Sequence, residues 1–182
     1  EIMKAHPLLP VEEEGRLNDA ALRDNFITRV YVYARWKALI DRGLSKTGLI
    51  KFHAGHKYVV MSHSTVMYRE LGRMLSDLTR APLADIADGY IASLMQALSV
   101  PATRKRHTNV LQHLLGYLKN NLDSAYRTDL DKTIDAYRRG EFPLAVPVRL
   151  LQHHFSMHPN PYIKEQVYLN PHPQALLIRN NV

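Results

Sequence analysis

Histidines and lysines are concentrated in one short segment of this chain. His53, His56 and His63 lie close together in sequence, with Lys51 and Lys57 beside them. A spacing of seven places His56 and His63 on one face of a helix, and a spacing of four places His53 and Lys57 on a neighbouring face. Imidazole binds metals and exchanges protons near neutral pH. The pattern is typical of a packed or solvated helix, of a metal site, and of an anion-binding surface.

A second row of polar side chains belongs to a segment that also carries a leucine stripe. Arg106, Asn109 and His113 recur at steps of three and four residues. Their line falls away from the apolar stripe, which is typical of a solvated helix face. Because the row contains Arg, Asn and His, it also suits a substrate or a nucleic acid. Arg149 and His153 repeat the spacing of four further along the chain.

The composition excludes several kinds of chemistry. The chain has no cysteine, so it contains no thiolate nucleophile, disulfide or cysteine-held iron–sulfur cluster. No carboxylate pair lies near the histidines and no glycine-rich phosphate loop precedes a helix, so the sequence predicts no catalytic residue. A histidine-held metal is an alternative, without an HExxH signature to support it. Its ligands would come from His53, His56, His63, His107 and His113.

Positive charge is concentrated in most of the chain. Lys and Arg number 24 against 17 Asp and Glu, for a formal charge of +7. Residues 1–19 carry −3, which leaves +10 for residues 20–182. Arg104, Lys105 and Arg106 open a predicted helix, where the helix dipole disfavours cations, and a bound phosphate would remove that conflict. This distribution favours a nucleic-acid partner.

Apolar residues recur at helical spacing through most of the chain, and no stretch alternates like a strand. Caps, prolines and glycines divide the pattern into helices, with Asp19 and Ser64 as predicted caps, Ser45 or Thr47 as another, and Gly140 as a predicted helix end. The first is predicted over 20–42, with Leu22, Phe26 and Val30 on its buried stripe. The leucine-rich segment 103–122 is predicted to form another long helix. With 46% apolar residues to form a core, the sequence predicts an all-α fold, a compact bundle of seven to eight helices.

The ends and the hydropathy of the chain predict its organisation and location. No apolar run approaches the roughly 20 residues of a membrane span, and no signal segment opens the chain. We therefore expect a cytoplasmic protein without a membrane partner. Residues 1–19 are acidic, rich in Pro and Glu, and lack a helical period. We expect them to be a junction at the end of a preceding domain, followed by one helical domain over 20–182.

Several motifs in a fixed order resemble the YbgA-like domain family. The resemblance covers about residues 20–180 and rests on five strings: KFHAGHKYVVMSHS at 51–64, YRELG at 68–72, RHTNVLQH at 106–113 followed by Gly116-Tyr117, YRRGE at 137–141 and YLNP at 168–171. The opening stretch 9–19 resembles the end of the desulfidase domain to which this family is often fused.

The resemblance implies a role in RNA chemistry. Two-domain proteins of this kind are similar to bacterial desulfidases that remove sulfur from 4-thiouridine in transfer RNA. In them the iron–sulfur cluster belongs to the first domain, and the YbgA-like domain is implicated in holding the RNA. The resemblance therefore implies tRNA and an N-terminal desulfidase domain as partners. It implies no cofactor in this chain and no enzymatic activity for the chain alone.

The leading hypothesis is a tRNA-binding, substrate-recognition domain of a larger desulfidase. The alternatives are a stand-alone helical enzyme with a histidine-held metal and a scaffold that docks or dimerises. In the leading hypothesis, Arg and Lys position phosphates, while His and Asn contact ribose or base edges. The residues predicted to contact RNA are Lys51, His53, Lys57, His63, Arg69, Arg73, Arg104, Lys105, Arg106, His107, Asn109, His113, Arg138, Arg139 and Arg149.

Overall fold

The computed structural model describes residues 6–173, 176 and 178–181. Within these residues the chain forms eight α-helices and three short 3-10 helices and no strand, which confirms the all-α prediction. The α-helices are α1 (Ala20–Asp41), α2 (Lys46–His63), α3 (Thr65–Met74), α4 (Leu83–Ser99), α5 (Arg104–Gly116), α6 (Ser124–Arg139), α7 (Ala145–Met157) and α8 (Pro161–Lys164). The 3-10 helices are Glu14–Asn18, Val167–Leu169 and Ile178–Asn181.

Local capping chemistry sets most of the helix ends. Asp19, Ser45 and Ser64 each accept a hydrogen bond from the backbone N–H three residues later, at the starts of α1, α2 and α3. Gly140 ends α6 with φ at +89°, in the left-handed region that glycine adopts without strain. These ends agree with the predicted ones because capping depends on residues near one another in sequence.

One helix is shorter than predicted. The segment predicted to be helical over 103–122 ends its helix at Gly116 after 13 residues. Leu118 nevertheless remains buried, because the turn after α5 keeps it against the core. Because Leu118 is buried, the apolar pattern of the sequence continues past the last residue of the helix.

The first helix buries a different face from the one that its apolar residues predicted. Its buried side chains are Asp24, Asn25, Thr28, Val32 and Trp36. Leu22, Phe26 and Val30 are only half-buried. The prediction was wrong because the first half of α1 packs against polar groups, and the Asn25 amide donates a hydrogen bond of 2.8 Å to the Leu98 carbonyl oxygen. A polar interior on one side of the bundle is the exception to its apolar core.

The core is centred on α2, which packs against α1, α3, α4, α5 and the 3-10 helix Val167–Leu169. Trp36, Phe52 and Tyr90 form an aromatic group with ring centroids 5.3–6.3 Å apart. On the far side of α5, α6 and α7 complete the bundle. None of the helices in the described ranges combines the length and the hydropathy that a membrane crossing needs.

Candidate nucleic-acid interface and a buried polar network

The structure divides the predicted site residues between the interior and the surface. Among the histidines and Asn109, His56, His63 and His107 are buried, whereas His53 and Asn109 are half-buried and His113 is exposed. Lys57 and Arg106 are half-buried. The remaining predicted cations are exposed: Lys51, Arg69, Arg73, Arg104, Lys105, Arg138, Arg139 and Arg149. Burial alone therefore separates residues that the sequence grouped together.

Two of the buried histidines are held by nearby backbone. His56 donates through Nδ1 to the Phe52 carbonyl oxygen at 2.7 Å, and its ring stacks on the Phe52 ring with centroids 4.0 Å apart. His63 donates through Nδ1 to the Val100 carbonyl oxygen at 2.7 Å. Burial lowers the pKa of each to about 4, so both rings are neutral near pH 7. Both residues act within the core and do not reach an RNA surface.

The predicted histidines do not converge on a metal site. Within residues 6–173, 176 and 178–181, no three His, Asp or Glu side chains are grouped so that they could hold a metal ion. Each ring faces a partner of its own: Tyr90 for His53, Phe52 for His56, Val100 for His63, Tyr168 for His107, and Tyr58 for His113. The geometry therefore gives no support to the histidine-held metal.

A buried ionic group lies where the polar face of α1 meets the end of the chain. Asp24 Oδ1 is 3.2 Å from His172 Nε2 and 3.4 Å from Arg179 Nε. Burial by itself raises the pKa of Asp24, but the Arg179 charge and the His172 hydrogen bond lower it to about 2. The carboxylate is therefore ionised inside the protein.

Arg179 connects this ionic group to the third buried histidine. It donates a hydrogen bond of 2.8 Å to the Tyr168 carbonyl oxygen, and its guanidinium lies 5.1 Å from the centre of the Tyr168 ring. The Tyr168 hydroxyl is hydrogen-bonded to His107 Nδ1 at 2.8 Å. Burial lowers the pKa of His107 to about 3, so its ring is neutral. We call Asp24, His107, Tyr168, His172 and Arg179 the buried polar network.

Four of the five network residues were not predicted to be site residues, and His107 was predicted to contact RNA. One signal for Asp24 is present in the sequence. Asp24, Thr28, Val32 and Trp36 follow one another at steps of four, so they lie along the same buried face of α1. Polar residues on the extension of a buried stripe indicate a polar interior.

Arg104 resolves the predicted conflict at the start of α5 without a phosphate. Its guanidinium donates to the Tyr137 carbonyl oxygen at 2.7 Å and to the Phe142 carbonyl oxygen at 3.2 Å, and it lies 4.6 Å from the centre of the Tyr137 ring. These carbonyls lie at and beyond the C-terminal end of α6, where a cation complements the helix dipole. Arg104 therefore joins α5 to α6, and its charge is used within the fold.

The two arginines at the end of α6 are occupied by carboxylates. Arg138 Nε is 2.7 Å from Asp135 Oδ1. Arg139 contacts Asp135 as well, and its Nε is 2.6 Å from Glu141 Oε1. These are surface ion pairs, which contribute little to stability but reduce the local positive charge.

A different cation, Lys57, sits among aromatic rings at the surface. Its ammonium nitrogen is 4.9 Å from the centre of the Tyr58 ring and 4.7 Å from that of Tyr162. The Tyr117 ring stacks on Tyr162 with centroids 5.6 Å apart, and the Tyr58 hydroxyl donates to the Tyr117 hydroxyl at 3.3 Å. Burial lowers the pKa of Lys57, but Tyr162, Tyr117 and Tyr68 together raise it by more, so the ammonium stays charged. We call these four residues the tyrosine–lysine cluster.

The predicted polar row on α5 leads to this cluster. Arg106, Asn109 and His113 continue by another step of four to Tyr117, which is 38% exposed. The His113 ring centroid lies 6.4 Å from that of Tyr58. The three tyrosines of the cluster were not among the residues predicted to contact RNA, although Tyr117 lies one helical turn after His113. A charged ammonium close to the exposed Tyr117 ring suits a phosphate and an unpaired base.

Close backbone packing positions Tyr162 against α2. A Cβ atom on Gly55 would lie only 3.0 Å from the Glu165 carbonyl oxygen, so glycine permits the segment after α8 to approach. The Gln166 amide donates to the Ala54 carbonyl oxygen at 3.0 Å. Lys51 shares a small surface depression with Tyr162. These contacts bring residues distant in sequence onto one surface.

A groove of about 800 Å³ opens on the other side of α8, and we call it the α7–α8 groove. Its basic lining residues are Arg149, His153 and Lys164, and none of its lining residues in the described part of the chain is Asp or Glu. Tyr162 therefore lies in the tyrosine–lysine cluster, while Lys164, two residues later, lines the groove.

Sequence comparison places the chain in a family. The family described as "Protein of unknown function (DUF1722)" matches residues 57–173. The chain belongs to this family. It is also 32% identical over 159 residues to the "Uncharacterized protein YbgA" of Escherichia coli (strain K12), covering 87% of this chain and 94% of that protein. The resemblance to YbgA-like proteins is thereby confirmed, and no solved structure matches the chain.

The residues matched by the DUF1722 family include one of the two polar regions completely and the other only in part. All four residues of the tyrosine–lysine cluster and the whole lining of the α7–α8 groove fall within residues 57–173. Asp24 and Arg179, at the centre of the buried polar network, lie outside it. The candidate surface is thus contained in the DUF1722 match, whereas the network extends beyond it at both ends.

Proposed function

We propose that this chain binds transfer RNA through the tyrosine–lysine cluster and the cationic surface around it. The observation that carries the proposal is the Lys57 ammonium, held over the rings of Tyr58 and Tyr162, with Tyr117 stacked on Tyr162 and exposed. RNA-binding proteins stack unpaired bases on aromatic rings and place cations near the phosphates. The cluster offers both kinds of contact within a few ångströms.

The charge distribution supports the same surface. Residues 20–182 carry +10. Tyr68 of α3 contributes to the raised pKa of Lys57, which places α3 beside the cluster. Arg69 and Arg73 are exposed on that helix, and Lys51 is exposed on α2. We therefore assign phosphate contacts to Lys51, Lys57, Arg69 and Arg73, ahead of arginines that bind carbonyls or carboxylates of the chain itself.

The finer part of the proposal is that the chain holds the substrate of a tRNA 4-thiouridine desulfidase. It rests on the YbgA-like motifs and on the resemblance of residues 9–19 to the end of a desulfidase domain. Because the chain has no cysteine, the iron–sulfur cluster would belong to that preceding domain. In this arrangement our chain orients the RNA, and the sulfur is removed elsewhere.

The test is a titration of labelled tRNA with the protein at several salt concentrations. We expect binding that weakens steeply as salt rises, because each phosphate contact releases counterions, and we expect duplex DNA to compete poorly. Lys57→Ala should weaken binding about tenfold and reduce the salt slope by about one. Lys37→Ala is the matched control, since Lys37 is exposed on α1 and removes the same charge.

Two results would contradict the proposal. Absence of tRNA binding at low salt would reject RNA binding by this chain. Equal losses in the Lys57→Ala and Lys37→Ala variants would show that only net charge matters, and would remove the tyrosine–lysine cluster from the interface. A preference for tRNA that carries 4-thiouridine over the unmodified tRNA would support the desulfidase role.

A further inference from the structure

The α7–α8 groove has the charge of an anion-binding site. Arg149 and His153 stand four residues apart on α7, and Lys164 faces them from the end of α8. With no carboxylate among its described lining residues, the groove has a positive local field. An adjoining cavity of about 60 Å³ is also lined by Arg149, together with His172 and Arg179. Arg149 thus lies where the groove meets the smaller cavity, while His172 and Arg179 are bonded to Asp24.

The remaining surface of the groove is apolar and includes an aromatic ring. Phe155 is half-buried and lines the groove together with Pro159, Pro161 and Ile163. A volume of about 800 Å³ falls within the range of pockets that bind small organic molecules. The combination of an aromatic and apolar side with a cationic end matches a nucleotide, which joins a flat base to a phosphate.

The walls of the groove are fixed before any ligand binds. The Gln152 amide donates to the Leu169 carbonyl oxygen at 2.7 Å and to Asn170 Oδ1 at 2.9 Å. On the opposite wall, Asn160 Oδ1 accepts hydrogen bonds from the backbone N–H groups of Tyr162 and Ile163 at 3.0 and 3.2 Å. A preformed groove loses less conformational entropy on binding.

We infer that the α7–α8 groove binds a single nucleotide displaced from the RNA strand that lies on the tyrosine–lysine cluster. Its base packs on Phe155, and its phosphate lies between Arg149 and Lys164. Residues of α8 contribute to both sites, Tyr162 to the cluster and Lys164 to the groove, so one strand can reach both of them. The inference rests on the proposed RNA binding and adds to it a specific site for one unpaired nucleotide.

The experiment is a nuclear magnetic resonance titration of the 182-residue protein with uridine 5′-monophosphate, with uridine, and with inorganic phosphate. We expect saturable amide shifts in the segments that line the groove with the nucleotide, and much weaker shifts with the other two probes. Lys164→Ala should weaken nucleotide binding about tenfold, the effect of losing one hydrogen bond to a charged group. Lys132→Ala is the matched control because Lys132 is exposed on α6 and does not line the groove.

The outcomes separate this inference from the proposed function. Tight tRNA binding without nucleotide shifts in the groove would overturn the inference and leave the proposed function intact. Equal binding of inorganic phosphate and the nucleotide would also overturn it, because the base would then contribute nothing. Groove binding of the nucleotide without any tRNA binding would contradict both, since the groove would then serve free nucleotides. Nucleotide shifts in the groove, together with weaker tRNA binding by Lys164→Ala, would support it.

Discussion

The buried polar network and the tyrosine–lysine cluster use similar side chains in opposite ways. In the network, Asp24, His172 and Arg179 satisfy one another in the interior. In the cluster, Lys57 keeps its charge at the surface and lies against ring faces, and Tyr117 is accessible to a ligand. The network joins distant parts of the fold, whereas the cluster is the surface that we propose for RNA binding.

The largest expected effect is the loss of stability when the buried carboxylate charge of the network is removed. Asp24→Asn leaves Arg179 buried without its anion, and we expect the free energy of unfolding to fall by about 3–5 kcal/mol. Urea denaturation followed by circular dichroism measures this change. RNA contacts at the tyrosine–lysine cluster should be unaffected in the folded fraction, because the hydrogen bonds of the network do not involve the four cluster residues.

Asp135→Asn is the control for this substitution. Asp135 makes ion pairs at the surface, so we expect a loss of no more than about 1 kcal/mol. If Asp24→Asn were as mild as the control, the network would be a minor contributor to stability. The contrast with the surface cluster would then fail.

The second effect is a loss of stability as the pH falls. Burial lowers the pKa of His56 and His63 to about 4 and that of His107 to about 3. An unfolded histidine has a pKa of about 6.5, so near pH 5 these three rings bind up to three more protons in the unfolded chain than in the folded one. The free energy of unfolding should therefore decrease as the pH is lowered through this range, and these three rings contribute about 4 kcal/mol per pH unit or less.

Urea denaturation at a series of pH values between about 7 and about 5 tests this slope. Below an unfolded-state pKa of 3.8 the stabilisation by Asp24 is also lost, because its pKa in the folded protein is about 2. His113→Gln is the control, because it also removes an imidazole but from an exposed position. A stability that does not depend on pH would mean that the buried rings are not neutral in the folded protein.

The smallest effect on stability comes from the surface cluster. Tyr117→Ala removes an exposed ring, so we expect the free energy of unfolding to change by less than about 1 kcal/mol. The same change should weaken RNA binding by about 1–3 kcal/mol, the range for the loss of one stacked base. Denaturation and RNA titration of the same variant measure the two quantities.

Tyr126 offers a matched control, because it is 59% exposed on α6. Tyr126→Ala should alter neither quantity appreciably. A Tyr117→Ala variant that lost stability but kept its RNA affinity would mean that the cluster stabilises the fold and does not bind RNA. The cluster and the buried polar network would then have the same role.

The helices and several spacings were predictable from sequence because they depend on neighbouring residues. The caps at Asp19, Ser45 and Ser64 act within three residues, and they lie where the sequence placed them. The spacing that put His56 and His63 on one face was also informative, since both are buried. The fate of that face was not predictable, because burial depends on which helices pack against it.

The site residues were harder to predict because their partners are far away in the chain. The Asp24 carboxylate meets His172, which is 148 residues further on, and Arg104 finds its acceptor at Tyr137, 33 residues later. Local dipole arguments identified the unfavourable position of Arg104 but not the carbonyl that relieves it. Lys57 was predicted for its charge, whereas Tyr162, which lies under its ammonium, was not.

The sequence by itself determined an all-helical chain, the caps of several helices, its excess of positive charge and its resemblance to YbgA-like proteins. These properties follow from composition and from interactions between residues a few positions apart. Only the tertiary structure decided which histidines are buried, which arginines are already paired, and which tyrosines surround Lys57. Those outcomes depend on long-range packing. Burial and pairing involve side chains that are far apart in the sequence, and the periodicity of a helix relates only residues that are close together.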